Sequence, residues 1–475
     1  MEARPHTPTG PPAPSPDVRP NAVLLVVGIG TLLSALAGSA VTLILPTISK
    51  EMNISLDQAS WIMISFMLAV TVLLLIFGRA GDLFGHRKVY LGGFFLFGVA
   101  SLTCGLAGSF WMLVFGRLFQ GVGGAMVMAT GPALLTTTFP GAQRGKALGM
   151  LATATYIGLT IGPPFAGYLI SSLSWRWIFY INIPITAFLF TLGLFFLPSD
   201  VRSGEKSFDF GGAFTFVVGL PLLLLALSQG HKWGWSSWQS LVCIAFGGSL
   251  LAAFFRIETR SGDPLLDLTM FRSRTFSGAT LSALANYMAL FIQMILLPYF
   301  LMEALRVDPA HAGLVLSAQP LMMALVASPS GWISDRIGTR GLSVVGMAIL
   351  AAGLAGMSTV GANASLMVVA IWLGVMGIGT GIFISPNSSA IMGAAPRARQ
   401  GVAGGIMAMA RNFGMVVGVA LATLVYQASG GRMGGDWGAA DFHAFSVTMC
   451  VAAVIALTGA ATSALRGKAT PAKPV

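Results

Sequence analysis

The sequence is poor in charge. Of its 475 residues only 9% are Asp, Glu, Lys or Arg, against about 25% in a soluble domain, whose surface needs them. A chain this long with so few charges cannot cover itself in water, which excludes a soluble globular fold. Cysteine is scarce as well. Cys104, Cys243 and Cys450 lie far apart inside apolar stretches, which excludes a disulfide framework and offers no metal-ligand spacing. Histidines and acids are missing from the apolar interior: all five His and all sixteen Asp and Glu fall in tails, loops or the ends of apolar runs. No His/Cys/Asp/Glu cluster converges as an enzyme would require, and no phosphate loop follows a strand. Neither a metal nor a cofactor is expected, and ATP cannot be the direct energy source without a nucleotide-binding domain.

What is abundant is apolar: 55% of residues are hydrophobic and the mean hydropathy is +0.81. A membrane-crossing helix needs about 20 apolar residues. Runs of that kind centre near residues 34, 67, 99, 124, 159, 188, 220, 247, 289, 320, 350, 378, 413 and 455, predicting an all-α polytopic protein of fourteen helices. The least distinct edges are those near 99, 247 and 350. Residues 1–21 are rich in proline and almost devoid of hydrophobic content, as in a disordered tail. The first apolar run is about 25 residues long, more than a signal-peptide core contains.

A net charge of +11 would suggest nucleic acid in a soluble protein. Here the basic residues sit in short turns between apolar runs, the pattern that sets membrane orientation. With both termini cytoplasmic, the inner loops carry Arg79, Arg87, Lys88, Arg144, Lys146, Arg272, Arg274, Arg336, Arg340, Arg397 and Arg399. The outer ones hold Lys50, Arg176, Lys232, Arg306 and Arg432. An odd helix count would scramble this alternation. The expected location is therefore the cell membrane, multi-pass, with lipid and not nucleic acid as the large partner.

Two loops repeat. Residues 78–88 read GRAGDLFGHRK and residues 331–340 read GWISDRIGTR. Both carry Gly-x-x-x-Asp-x-x-Gly and then basic residues: Gly78, Asp82, Gly85, Arg87 and Lys88, then Gly331, Asp335, Gly338 and Arg340. The glycines permit a tight turn between close helix ends. The aspartate can accept hydrogen bonds from helix-start amides or pair with the basic cluster. The aspartates stand 253 positions apart, too many for six helices of roughly 30 residues including loops. The excess matches a helix pair over residues 211–257. The layout is then six helices, an inserted pair, and six more: a tail (1–21), a first bundle (22–197), linker and insert (198–275), a second bundle (276–466) and a short tail (467–475).

On these features the sequence resembles the major facilitator superfamily, and within it the fourteen-helix drug:proton antiporters, over nearly the whole chain after the tail. The loop motif matches the family's signature after its second helix, with Ala80 where leucine is usual and His86 in place of the first arginine. The fourth helix carries GRLFQGVGGA, matching Arg-x-x-Gln-Gly at Arg117, Gln120 and Gly121. The fifth carries GLTIGPPFAG, similar to the antiporter motif through Gly158, Gly162, Pro163 and Gly167. WRWIFYINIP (Trp175–Pro184), FDFGG (Phe208–Gly212) and PLLDLTMFRSRTF (Pro264–Phe276) follow in the family's order. The resemblance implies export of drug-like compounds by proton antiport.

Arg117 and Arg411 lie within apolar runs, where a charge costs several kcal/mol unless it faces a partner or cavity; snorkelling to an interface is the alternative for Arg117. Gly162, Pro163 and Pro164 remove backbone donors and kink the fifth helix, either as a pivot or as a static bend. The family's first helix commonly carries an aspartate ahead of an Ala-Leu-Pro stretch, and here that position is Ala37. Proton coupling needs a carboxylate or histidine whose charge changes, and a buried arginine does not deprotonate in practice. The nearest acids are Asp57 and Glu303 at outer helix ends, with Asp82 and Asp335 opposite. With positive embedded charges and no embedded acid, the expected substrate is a neutral or anionic amphiphile. Polar and aromatic positions within the helices make Tyr156, Asn286, Tyr287, Gln293, Gln319 and Trp372 the candidate substrate contacts, although such aromatics more often serve packing. The expected function is a secondary active exporter working by alternating access. A carrier dedicated to one metabolite, in either direction, is the second reading, and a non-transport membrane receptor or scaffold is a third. A periplasmic adaptor is compatible with export, but no segment points to one.

Overall fold

A computed structural model describes residues 19–139, 141–198, 210–234, 236–259, 268–395, 400–432 and 437–466. Residues 1–18 and 467–475 of the expected tails lie outside the described residues, as do Arg397, Arg399 and the side chains of Arg144, Lys146, Lys232 and Asp335; Pro20 and Asn21, expected in the tail, already belong to the first helix, which proline can open. No strand occurs among the described residues. Among the described residues the longer helices group into fourteen segments: α1 (Pro20–Met52), α2 (Leu56–Phe84), α3 (His86–Gly105), α4 (Phe110–Thr138), α5 (Gly141–Ser172), α6 (Trp177–Phe196), α7 (Phe210–Trp233) and α8 (Trp238–Glu258). There follow α9 (Arg274–Tyr299, continued by a π turn Phe300–Ala304), α10 (Pro309–Leu316 and Ala318–Ile337, interrupted at Ser317), α11 (Thr339–Ser358), α12 (Leu366–Ala394), α13 (Gln400–Ala428) and α14 (Ala439–Ala464).

Every predicted centre falls inside one of these helices. Among the described residues, twelve are long and apolar enough on their own to cross a membrane. The other two are α5, diluted by Gly, Thr and Pro, and α7, whose apolar part shortens to Gly211–Ala226. Serines mark the starts. Ser55, Ser109, Ser237, Ser273 and Ser365 each accept a hydrogen bond from a first-turn amide, satisfying donors that the helix itself leaves open.

The repeat seen in the loops recurs in the packing. A Cβ on Gly158 of α5 would lie 2.6 Å from the Leu32 carbonyl oxygen of α1, and one on Gly414 of α13 would lie 2.7 Å from that of Leu284 in α9. Gly121 of α4 sits on the Phe66 carbonyl of α2, and Gly377 of α12 on the Gln319 carbonyl of α10. Gly93 and Gly123 join α3 to α4 as Gly346 and Gly379 join α11 to α12. Small residues bring helix backbones together where apolar side chains alone would gain nothing over lipid. The first six helices and the last six are thus built alike, with α7 and α8 inserted between them.

The halves meet along three lines: α1 with α9, α2 with α13, and α5 with α10. The inserted α7 packs on both α2 and α13, against the side of that seam. Large apolar side chains such as Phe95, Phe115, Phe119, Phe188, Phe195, Phe246 and Leu457 are exposed around the outside. In water such a surface would be a liability; in a bilayer it is the solvated one.

Candidate functional site

The two faces of the molecule are distinguished by their turns, one carrying the α1–α2 turn and the other the α2–α3 turn. On the α1–α2 face the seam between α5 and α10 is reciprocal. Gly167 of α5 rests on the Pro309 carbonyl of α10, and Gly313 of α10 rests on the Pro163 carbonyl of α5. Each helix contributes Pro-x-x-x-Gly, Pro163–Gly167 and Pro309–Gly313. No side chain separates the backbones. The α10 partner was not singled out from sequence, although the identical spacing could have found it. Gly158 and Gly162 serve a different contact, packing α5 on α1 within the first half, where Ser39 Oγ donates to the Gly158 carbonyl at 3.4 Å.

Nearby on this face, Ser49 Oγ of α1 and the Tyr299 hydroxyl of α9 are hydrogen-bonded at 2.8 Å, joining the halves. Glu303 sits one turn beyond Tyr299 in the π turn, buried, within electrostatic reach of the Tyr299 and Tyr426 hydroxyls. π turns inside helices frequently occur at functional positions. Asp57 occupies the first turn of α2 and is also buried. Glu51 at the end of α1 accepts hydrogen bonds from Trp175 Nε1 and Arg176 Nη1, both at 2.6 Å, tying α1 to the turn before α6.

Arg117 is 2% exposed. It does not snorkel. Its Nε donates to the Ile62 carbonyl at 3.2 Å, its Nη1 to Gln120 Oε1, and its guanidinium lies 4.2 Å over the Phe66 ring. Gln120 passes the chain on to Ser101 Oγ at 2.8 Å, and Ser101 donates to the Phe97 carbonyl. α2, α3 and α4 are held together by this network. Sequence reading placed two positive charges inside the apolar runs, and the structure adds Arg466. It is 2% exposed, bonded to Asn387, Ser343 and Ser463, with its stem against Gly278. Following the last apolar run, it reads in sequence as an interface charge; packing buries it.

In the middle of the molecule Tyr156 of α5, Tyr287 of α9 and Arg411 of α13 come together. Arg411 hydrogen-bonds Tyr287, with Tyr156 beside the pair. All three are partly exposed, and the contact joins α5 of the first half to α9 and α13 of the second. Gln293 of α9 and Gln319 of α10 form a buried pair, Nε2 of the first donating to Oε1 of the second at 2.6 Å. The remaining two candidates lie apart. Asn286 contacts Met347 of α11 inside the second half, and the Trp372 indole lies on Gly356 between α11 and α12.

The loop motifs on the α2–α3 face make two tight turns. Gly85 and Gly338 have φ of +106° and +90°, a backbone region open to glycine and costly for other residues. Asp82 lies 3.3 Å from His86 Nε2, so the residue that replaces the usual arginine still meets the aspartate. Arg87 donates to the Leu194 carbonyl of α6 at 2.5 Å. Gly331 is held against Ser385 of α12, Gly78 faces open space, and Lys88 and Arg340 are exposed.

The sequence profile of the Major Facilitator Superfamily matches residues 27–262 and 279–474. The riboflavin transporter RibZ of Clostridioides difficile is 32% identical over 84% of this chain and 86% of the relative. The multidrug resistance protein Stp of Mycobacterium tuberculosis is 31% identical over 84% and 74%, and the tetracenomycin C resistance and export protein of Streptomyces glaucescens 31% over 85% and 75%. A bacterial homologue of the human lysosomal transporter Spinster, solved inward-facing and occupied, superposes with a TM-score of 0.66 at 14% identity, covering 93% of this chain and 96% of that one. With its fourteen helices, its repeated halves and these relatives, the chain belongs to the Major Facilitator Superfamily, a family of membrane transporters and not of enzymes.

Proposed function

We propose that the protein exports small neutral or anionic amphiphiles across the cell membrane by alternating access, in exchange for protons. The observation that carries this reading is the side-chain-free seam between the halves on one face, together with Arg411 where α5, α9 and α13 meet between the halves. Backbones that meet at glycine on both sides can part without unthreading side chains, which suits a rocking motion between two states. The Lys and Arg bias of the loops supports a cytoplasmic α2–α3 face and cytoplasmic termini. The seam closed at Gly167 and Gly313 then faces outward. Arg411, at the contact between the halves, favours neutral or anionic cargo over multivalent cations, which would need a carboxylate partner.

For the coupling group we favour Glu303. It is buried in the π turn beside Tyr299, whose hydroxyl joins α9 to α1, so a change in its charge acts directly on a contact between the halves. The relatives named for multidrug resistance and export favour a broad exporter. The riboflavin transporter among them favours a second reading, a carrier dedicated to one metabolite. Export assays in everted vesicles over a panel of fluorescent amphiphiles separate the two, since a dedicated carrier moves one chemical class. The coupling is tested by substrate-induced proton release from purified protein at several pH values, with Glu303→Gln, Asp57→Asn and Asp82→Asn alongside. Release is expected from the wild type and lost in Glu303→Gln. A transported substrate that releases no proton at any pH removes antiport.

A further inference from the structure

The Gln293–Gln319 pair is half-satisfied. One hydrogen bond joins the two amides, while Gln293 Oε1 and Gln319 Nε2 are buried with no partner among the described residues. The side chains belong to residues that are 1% and 6% exposed. Buried amide groups are hydrogen-bonded in nearly all cases, and an exception asks for a reason. Exchanging the O and N positions of both amides does not remove the mismatch. Two primary amides joined by one such bond always leave a carbonyl oxygen on one and N–H on the other.

The fold does not require amides here. The internal repeat supplies the comparison, because Gly121 rests on the carbonyl of Phe66 just as Gly377 rests on that of Gln319. Phe66 is therefore the counterpart of Gln319. The Leu32–Leu284 correspondence between α1 and α9 makes Val41 the counterpart of Gln293. Val41 and Phe66 are both buried and apolar. The first half fills the same positions with apolar side chains, the Phe66 ring lying under the Arg117 guanidinium, so the shared architecture does not itself call for an amide pair. Their location is consistent with contact to cargo. α9 and α10 are the helices of the second half that meet α1 and α5 of the first, and Gln319 lies two residues past the interruption of α10 at Ser317.

We propose that Gln293 and Gln319 form the polar recognition element for the transported molecule, and that they select a neutral ring carrying an N–H donor beside a C=O acceptor, as in an imide or lactam. The ligand N–H donates to the open amide oxygen and the ligand carbonyl accepts from the open amide N–H, completing both groups at once. This rests on the transport reading and adds the chemical class of the cargo. A site built to satisfy a donor and an acceptor rejects an analogue that leaves them unpaired.

The test uses lumichrome, a neutral fluorescent tricycle whose two ring N–H groups each stand beside a carbonyl, and its derivative methylated at both of those nitrogens, which keeps the carbonyls and has no N–H donor. Binding to the purified full-length transporter is read by fluorescence polarisation, and transport in proteoliposomes. The wild type is expected to bind lumichrome roughly tenfold or more tightly than the methylated form, the loss expected when two buried hydrogen bonds go unmade. Gln293→Val and Gln319→Phe import the residues that the first half tolerates at these positions, and each brings the ratio toward one. Equal binding of the two compounds by the wild type overturns the proposal without any variant, as do variants that keep the preference. Export of the amphiphile panel with no preference for the N–H form sinks the recognition element and leaves the transport reading standing. Failure to move any compound removes the transport reading and this inference together.

Discussion

Arg117 illustrates how much a single buried side chain decides. Its two hydrogen bonds and the ring of Phe66 engage the planar guanidinium at several points, which the compact ammonium of lysine cannot reproduce. We expect Arg117→Leu to leave Gln120 Oε1 unpaired, at about 1–3 kcal/mol for the unmade bond, while the Ile62 carbonyl keeps the Ser65 hydroxyl as partner. Arg117→Lys is expected to recover less than half of the loss. Thermal unfolding in detergent measures both, and a lysine variant as stable as wild type would mean that charge alone matters. Asp308 offers a residue-scale pH dependence. Backbone hydrogen bonds from His311, then the His311 ring and the Ala310 amide, hold its carboxyl below the ordinary value of 3.8. Because the folded pKa is depressed, the contribution is present above the ordinary value and fades as pH falls through the lower one. Asp308→Ala is expected to cost about 1 kcal/mol or less at neutral pH, given its exposure. The variant should match wild type in acid below that range.

Elements meet where side chains are absent. At the α5–α10 seam, a larger residue at Gly167 or Gly313 would place atoms inside the backbone of the facing helix. Gly313→Val is expected to push the helices apart at about 1–3 kcal/mol and to abolish export. The same change at Gly149, which has open space around it, should leave export near wild type. Transport per folded molecule, measured in vesicles, distinguishes the two. The positive-φ turns give a smaller expectation, since Gly338→Ala strains a backbone of φ +90° by about 1 kcal/mol. At this scale the sequence was informative about α5, where Gly-Pro-Pro announces a special helix. The matching Pro-x-x-x-Gly spacing at Pro309–Gly313 is legible in the sequence, but that the two segments pack on each other is not, because they stand some 150 positions apart.

For the molecule as a whole, alternating access requires that the halves separate on the α1–α2 face. Cross-linking Ser49→Cys to Tyr299→Cys with a short thiol-reactive bridge, in a Cys450→Ser background because that cysteine is exposed, should stop transport. Cleaving the bridge should restore it. Transport that continues through a complete cross-link would mean that this face does not open. Fluorescent-protein and alkaline-phosphatase fusions at the C-terminus test orientation, with a cytoplasmic signal expected for an even number of crossings.

Composition, spacing and charge were enough to determine the solvent, the number of crossings and the division into six, two and six. Those properties are set by how many apolar residues span a bilayer and by where charges are tolerated, and both are written residue by residue along the chain. The repeat was visible because two loops with the same turn need the same glycines. Tertiary structure decided the rest. It buried Arg466, which local hydropathy places at an interface, and gave the Arg117 chain its partners on three helices. It also paired Pro163–Gly167 with Pro309–Gly313 and set Gln293 against Gln319 with two polar groups left open. Each of these is a relation between distant helices, fixed by packing geometry and by the satisfaction of buried polar groups, and neither has a period or a composition that a single stretch of sequence can carry.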